Sequence, residues 1–185
     1  LLSYRPTGNP LDPYPMSIDL EPSVDNLPAV CPPGRRLSIC LINPRFEPSY
    51  WGFDFALPLY PGDKRSTMIS GSLTSVAGLC GDHEVRLVDE NVEEIDWDSL
   101  SSYDIVGVTG MNVQKMRTRQ ILLKLRELKI FTVVGGPFVS VQEEFFDDLC
   151  DVRFVGEAET TWPQFLSDFA QGKATATRYE QSEPT

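Results

Sequence analysis

Asp104-Ile105-Val106-Gly107-Val108-Thr109-Gly110 is a short run of β-branched residues closed by a threonine and a glycine. Further on, Ile130-Phe131-Thr132-Val133-Val134 repeats the pattern and closes on Gly135-Gly136-Pro137. Between the two, Ile121, Leu125 and Leu128 recur at helical spacing. Strand, amphipathic helix and strand in that order make a βαβ unit, which requires a parallel sheet with helices laid over it.

The same alternation extends both ways. Strands are expected at Leu37 to Ile42, Glu84 to Val88, Asp104 to Thr109, Ile130 to Val134 and Val152 to Val155. A first crossover helix is read from Ile69, Leu73, Val76 and Ala77, with Ser66 as its N-cap and Gly81 as its stop. About one turn of helix is expected around Trp97 to Leu100, and a short helix around Phe145, Phe146 and Leu149. Trp162, Phe165, Leu166 and Phe169 give a last helix that ends at Gly172. Five strands with right-handed crossovers wind most economically in the order 2-1-3-4-5, a doubly wound, flavodoxin-like (Rossmann-like) α/β sheet.

Residues 1–34 hold eight of the fifteen prolines and read as an extended N-terminal arm. Leu11, Tyr14, Met16 and Ile18 give that arm some apolar surface with which to wrap the domain. The α/β domain is expected to occupy 35–174, with 175–185 beginning a linker. The chain opens on Leu1-Leu2 instead of methionine, as expected of a piece of a longer protein.

With 185 residues and a net charge of −11, the chain supports one domain and lacks the basic footprint of a nucleic-acid or anionic-membrane binder. No long apolar run or signal segment is present, so a cytoplasmic location is expected. Cys31, Cys40, Cys80 and Cys150 are too widely spaced for zinc or an iron–sulfur cluster and read as buried or incidental thiols. Glu90, Glu93 and Glu94 read as a solvated run, and Glu157 and Glu159 as the opening of the last helix.

In a doubly wound sheet, ligands bind at the strand carboxyl ends. There Asn43-Pro44-Arg45 cannot serve as a glycine-rich dinucleotide loop, Thr109 stands where a receiver domain needs aspartate, and no P-loop is present. The strand ends instead carry Gly110, Gly135, Gly136 and Gly156, which let a ligand approach the main chain.

Four phrases at these ends, Val85-Arg86-Leu87-Val88-Asp89-Glu90-Asn91, Val108-Thr109-Gly110-Met111-Asn112-Val113-Gln114, Val133-Val134-Gly135-Gly136-Pro137 and Val155-Gly156-Glu157-Ala158-Glu159, carry a family resemblance. The chain resembles, from about Leu37 to Phe169, the N-terminal cobalamin-binding domain of cobalamin-dependent radical-SAM proteins. That group includes the anaerobic magnesium-protoporphyrin ester cyclase and the hopanoid methylases. The resemblance implies a corrin ring over the strand ends and its nucleotide tail beside the Gly-Gly turn. Asn43, Pro44, Thr109, Gly110, Met111, Asn112, Val113, Gly135, Gly136, Pro137, Gly156 and Glu157 are then the cofactor-binding candidates.

Two departures shape that expectation. The only histidine, His83, precedes the second strand, so it is at the wrong edge of the sheet to ligate cobalt from below. Cobalamin is therefore expected with its own base detached and no axial histidine; the lower ligand is absent, water, or a side chain from the loop of residues 43–51. The Cys-x-x-x-Cys-x-x-Cys triplet of radical-SAM enzymes is also absent. The [4Fe–4S] cluster, S-adenosylmethionine and the catalytic residues are therefore expected in a downstream radical-SAM domain, whose methyltransferase or cyclase chemistry this module would serve. The alternative is a cofactor-free substrate-docking or protein-interaction domain on the same scaffold.

Overall fold

A computed structural model of the chain describes residues 35–47, 54–59, 61–62, 66, 70–173 and 176–181. The expected arm, Ile69 and part of the loop after the first strand lie outside these residues.

The strands are β1 (Ser38–Asn43), β2 (Glu84–Asp89), β3 (Ile105–Thr109), β4 (Thr132–Gly135), β5 (Val152–Gly156) and β6 (Arg178–Gln181). They form one parallel sheet in the order β2-β1-β3-β4-β5-β6, the expected flavodoxin-like winding with one strand added at its edge. The helices are α1 (Gly71–Gly78), α2 (Lys115–Glu127), α3 (Pro137–Val141) and α4 (Thr161–Ala170).

Residue alternation along each strand divides the core into two layers. Ile39, Leu41, Ile105, Val133, Val152 and Phe154 face α1 and α4, where they meet Leu73, Trp162, Phe165 and Phe169. Cys40, Ile42, Val106, Val108 and Val134 face the other way, onto Ile121, Leu122 and Leu125 of α2 and onto Phe138 and Phe146. Burial of apolar surface on both faces is what makes these strands read as continuous hydrophobic runs.

Several expectations are corrected. The helix after β1 starts at Gly71 with Ser70, not Ser66, at its N-cap. The turn near Trp97 is a 3-10 segment over Ser99–Ser102. In place of a single short helix around Phe145 there is α3 and then a 3-10 turn over Glu143–Phe146. Glu157 and Glu159 lie in the connection before α4 and do not open it. Within 175–185, where a linker is expected, Arg178–Gln181 pairs with β5. Tyr179 explains why: it is the strand's one buried residue, stacked on Phe154 with ring centroids 5.3 Å apart. One buried aromatic in four residues is too little for a strand pattern to register.

Candidate functional site

Leu41, Gly107 and Val133 stand side by side in the register of β1, β3 and β4 and face the α1/α4 layer. Gly107 contributes no side chain to that row. Nearer the carboxyl ends, the positions facing the same layer are Thr109 on β3, Gly135 on β4 and Gly156 on β5, two of them glycine. The strand ends on this face therefore carry small residues, while deeper in the sheet the side chains of Leu41 and Val133 lean over Gly107. The two helices on this face do not close the gap. Leu73 and Val76 of α1, with Leu79 just after it, form one wall, and Ala158 with Trp162 of α4 the other. The result is a groove of about 300 Å³ at the topological switch of the sheet.

Protein contacts account for several of the glycines. Gly136 has φ +108°, and a Cβ there would press on Thr109 Oγ1 and on both the amide and the carbonyl of Gly110. Gly156 has φ +80°, and a Cβ there would collide with the Gln181 carbonyl of β6. Gly110 is held close by Thr118 of α2. Ser140 joins two of the turns: its hydroxyl donates to the Gly136 carbonyl (3.2 Å) and accepts from the Gly156 amide (2.8 Å). Sequence reasoning missed Ser140, which shows no motif beyond lying one helical turn after Gly136.

Of the expected site residues, Thr109, Gly135, Gly136, Pro137, Gly156 and Glu157 come together along this groove. Met111 and Asn112 are exposed, and Val113 half-buried, on the segment that follows β3. Asn43 and Pro44 are buried beneath it. Asn43 donates to Asp89 Oδ1 (3.1 Å) and accepts from Gln114 Nε2 (3.0 Å). Gln114 Nε2 also donates to the Pro44 carbonyl, while its Oε1 accepts from the Met111 amide (2.9 Å). Gln114, fully buried, was not a candidate in the sequence. The one available signal was its position three residues after Met111 at a helix start, the spacing of a capping box.

The expected solvated run is corrected at Glu90. Its carboxylate is gripped by the Arg117 guanidinium, with Nε 3.0 and 2.9 Å from the two oxygens, and it also accepts from the Arg45 amide at 3.0 Å. Desolvation is the largest single influence and pushes the carboxyl up. The hydrogen bonds from Arg117 and Arg45, with the Coulombic pull of both side chains, together outweigh it and hold the group below its ordinary value. Glu93 pairs with Arg86 at 2.6 Å, and Glu94 is exposed. Asn91 Oδ1 accepts from the Phe46 amide (2.9 Å), so residues 89–91 pin the start of the loop after β1.

His83 Nδ1 accepts from the Leu37 amide (3.2 Å) at the amino end of β1, across the sheet from the groove. Among the described residues, no group of three His, Cys, Asp or Glu side chains could hold a metal ion. No helix among them is long and apolar enough to cross a membrane. Cys40 and Cys80 are buried as expected, Cys150 partly so, and Cys31 lies outside the described residues.

The sequence is similar to that of the hopanoid C-2 methylase of Rhodopseudomonas palustris, at 27% identity over 129 residues, 70% of this chain and 24% of that protein. It is also 32% identical over 107 residues to the bacteriochlorophyllide d C-8(2)-methyltransferase of Chlorobaculum tepidum, covering 57% of this chain and 23% of that enzyme. The chain is homologous to these methylases. The resemblance expected from its motifs, to the group that includes the hopanoid methylases, is thereby borne out. An uncharacterized methyltransferase of Synechocystis shares 30% identity over 148 residues, 78% of this chain and 27% of the relative. The chain spans about a quarter of the length of these methylase relatives. No protein-family model matches the chain. No solved structure matches it.

Proposed function

We propose that the chain is the cobalamin-binding module of a radical-SAM enzyme of methyltransferase or cyclase type. The observation that carries this reading is the groove over Gly107, at the switch point where this fold binds ligands, in a homologue of methylases. At about 300 Å³ it is at the small end of ligand sites, suited to one aromatic arm of a cofactor and too small for a whole macrocycle. The nucleotide tail would enter the groove beside Thr109, Gly135, Gly136 and Gly156. The ring would lie outside, over Met111, Asn112, Val113, Pro137 and Glu157. Asn43, Pro44 and Gly110 act from below, by holding the segment after β3 in place.

In this reading cobalamin binds base-off and without an axial histidine, which the engagement of His83 with Leu37 supports. When bound, cobalamin supplies methyl-transfer chemistry. The iron–sulfur cluster and S-adenosylmethionine would belong to a radical-SAM domain in the rest of the enzyme, this module's partner, in the cytoplasm.

Purified protein mixed with hydroxocobalamin is expected to carry corrin absorbance through a sizing column. Ser72→Trp and Ser75→Trp add bulk at exposed groove-lining positions, where folding has little to lose, and are expected to abolish co-elution. Colourless wild-type protein at saturating ligand would refute the reading in favour of a cofactor-free docking domain. Valine at Gly135 or Gly136 is a poorer probe, because a Cβ at Gly135 already meets Phe154 Cβ at 3.2 Å and Gly136 is held at positive φ.

A further inference from the structure

Every buried residue that lines the groove is apolar; those facing its interior are Leu41, Leu73, Gly107, Val133, Phe154 and Trp162. The polar side chains of the lining are elsewhere or already engaged. Ser72, Ser75, Glu157 and Glu159 are exposed at the mouth. The Ser140 hydroxyl bridges Gly136 and Gly156, and the Trp162 indole N–H donates to Cys80 Sγ at 3.2 Å. Thr109 is half-buried, at the strand end. The backbones of β3 and β4 pair with a strand on each side as far as Val108 and Val134. An aromatic ring placed deep in the groove would therefore find dispersion partners and almost no hydrogen-bond partners.

We infer that this groove discriminates between corrinoids by their nucleotide base, accepting a methylated, apolar bicycle such as 5,6-dimethylbenzimidazole and disfavouring adenine. The inference rests on the proposed binding of a corrinoid tail in the groove. Adenine brings an exocyclic amine and additional ring nitrogens, which lose water on entry and find only the Thr109 hydroxyl, at the strand end, to replace it. One such unsatisfied group corresponds to about a tenfold loss of affinity.

The test is a spectrophotometric titration of the protein with three corrinoids that share one ring: cobalamin, its adenine-based analogue, and cobinamide, which lacks the nucleotide. Cobalamin is expected to bind tightest, with the adenine analogue at least about tenfold weaker. Val76→Gln, which places an amide on the α1 wall, is expected to narrow that gap. If cobinamide binds weakly but the two nucleotide-bearing corrinoids bind equally, the tail occupies the groove and base selectivity is overturned. Equal binding of all three removes the tail from the groove and overturns the inference as well. If none binds, the failure belongs to the proposed function itself.

Discussion

Arg117, on the first turn of α2, clamps the carboxylate of Glu90, at the end of β2, with both its Nε and a terminal guanidinium nitrogen, and the Glu90 side chain is only 7% exposed. This pair ties the strand that begins the sheet to the helix behind β3. Because Glu90 also receives the Arg45 amide, the tie extends to the loop after β1.

Glu90 has its carboxyl held below the ordinary value of 4.5, so it releases its proton more readily folded than unfolded. The stability this contributes is fully present above the unfolded value and is lost as pH falls through the folded one. Glu90→Gln is expected to lower stability near neutrality, where it leaves Arg117 without its charge partner, and to flatten the loss on acidification below 4.5. Urea midpoints across that pH range for both proteins check this, and parallel curves would contradict it.

Gln114→Glu keeps size and shape but removes the amide that donates to Asn43 Oδ1 and to the Pro44 carbonyl. Two buried acceptors then face a carboxylate. The expected cost is about 1–3 kcal/mol, seen as a lower urea midpoint with unchanged slope, since the fully folded surface is the same.

Gly136→Ala is expected to destabilise more than Gly78→Ala. At Gly136 the backbone sits at φ +108° with Thr109 and Gly110 in the way, whereas a Cβ at Gly78 meets nothing. The first change costs about 1–3 kcal/mol in backbone strain alone; at Gly78, on the last turn of α1, alanine is neutral to stabilising. Thermal midpoints of the two variants decide it.

Burial pushes the Cys40 thiol up to about 11 and Cys150 up to about 12, and it raises Cys80 against the opposing effect of the Trp162 indole. Thiolate is the reactive form. All three are expected to resist a disulfide-exchange reagent near neutral pH in the folded protein and to react together on unfolding. Thiol titration of a Cys31→Ser variant with and without denaturant reads this, and rapid reaction of all three while the protein is folded would refute it.

Much of the fold was legible because it is written locally. Ile105, Val106 and Val108, or Val133 and Val134, are β-branched residues bounded by chain-turning ones, and Ile121, Leu122 and Leu125 share a helix face. Such signals need only neighbours in sequence. Six of the twelve candidate positions meet along the groove, because strand carboxyl ends share one edge whatever the connecting helices contain. The glycines were legible as unusual, but not for their reason: Gly156 is glycine because the Gln181 carbonyl lies against it, and β6 gave almost no pattern of its own.

The sequence by itself determined the number and order of the first five strands, the homology to methylases, and the place of the one histidine, His83, ahead of the second strand. Only the tertiary structure decided that Gly107, a glycine inside a strand, lies under the side chains of Leu41 and Val133 at the floor of a groove, and that Gln114 locks Asn43 across 71 positions of chain. The physical reason is range. Strand and helix patterns follow from periodicity between near neighbours, whereas a groove and a buried polar network arise where distant segments pack, and no local pattern records which residue will stand opposite another.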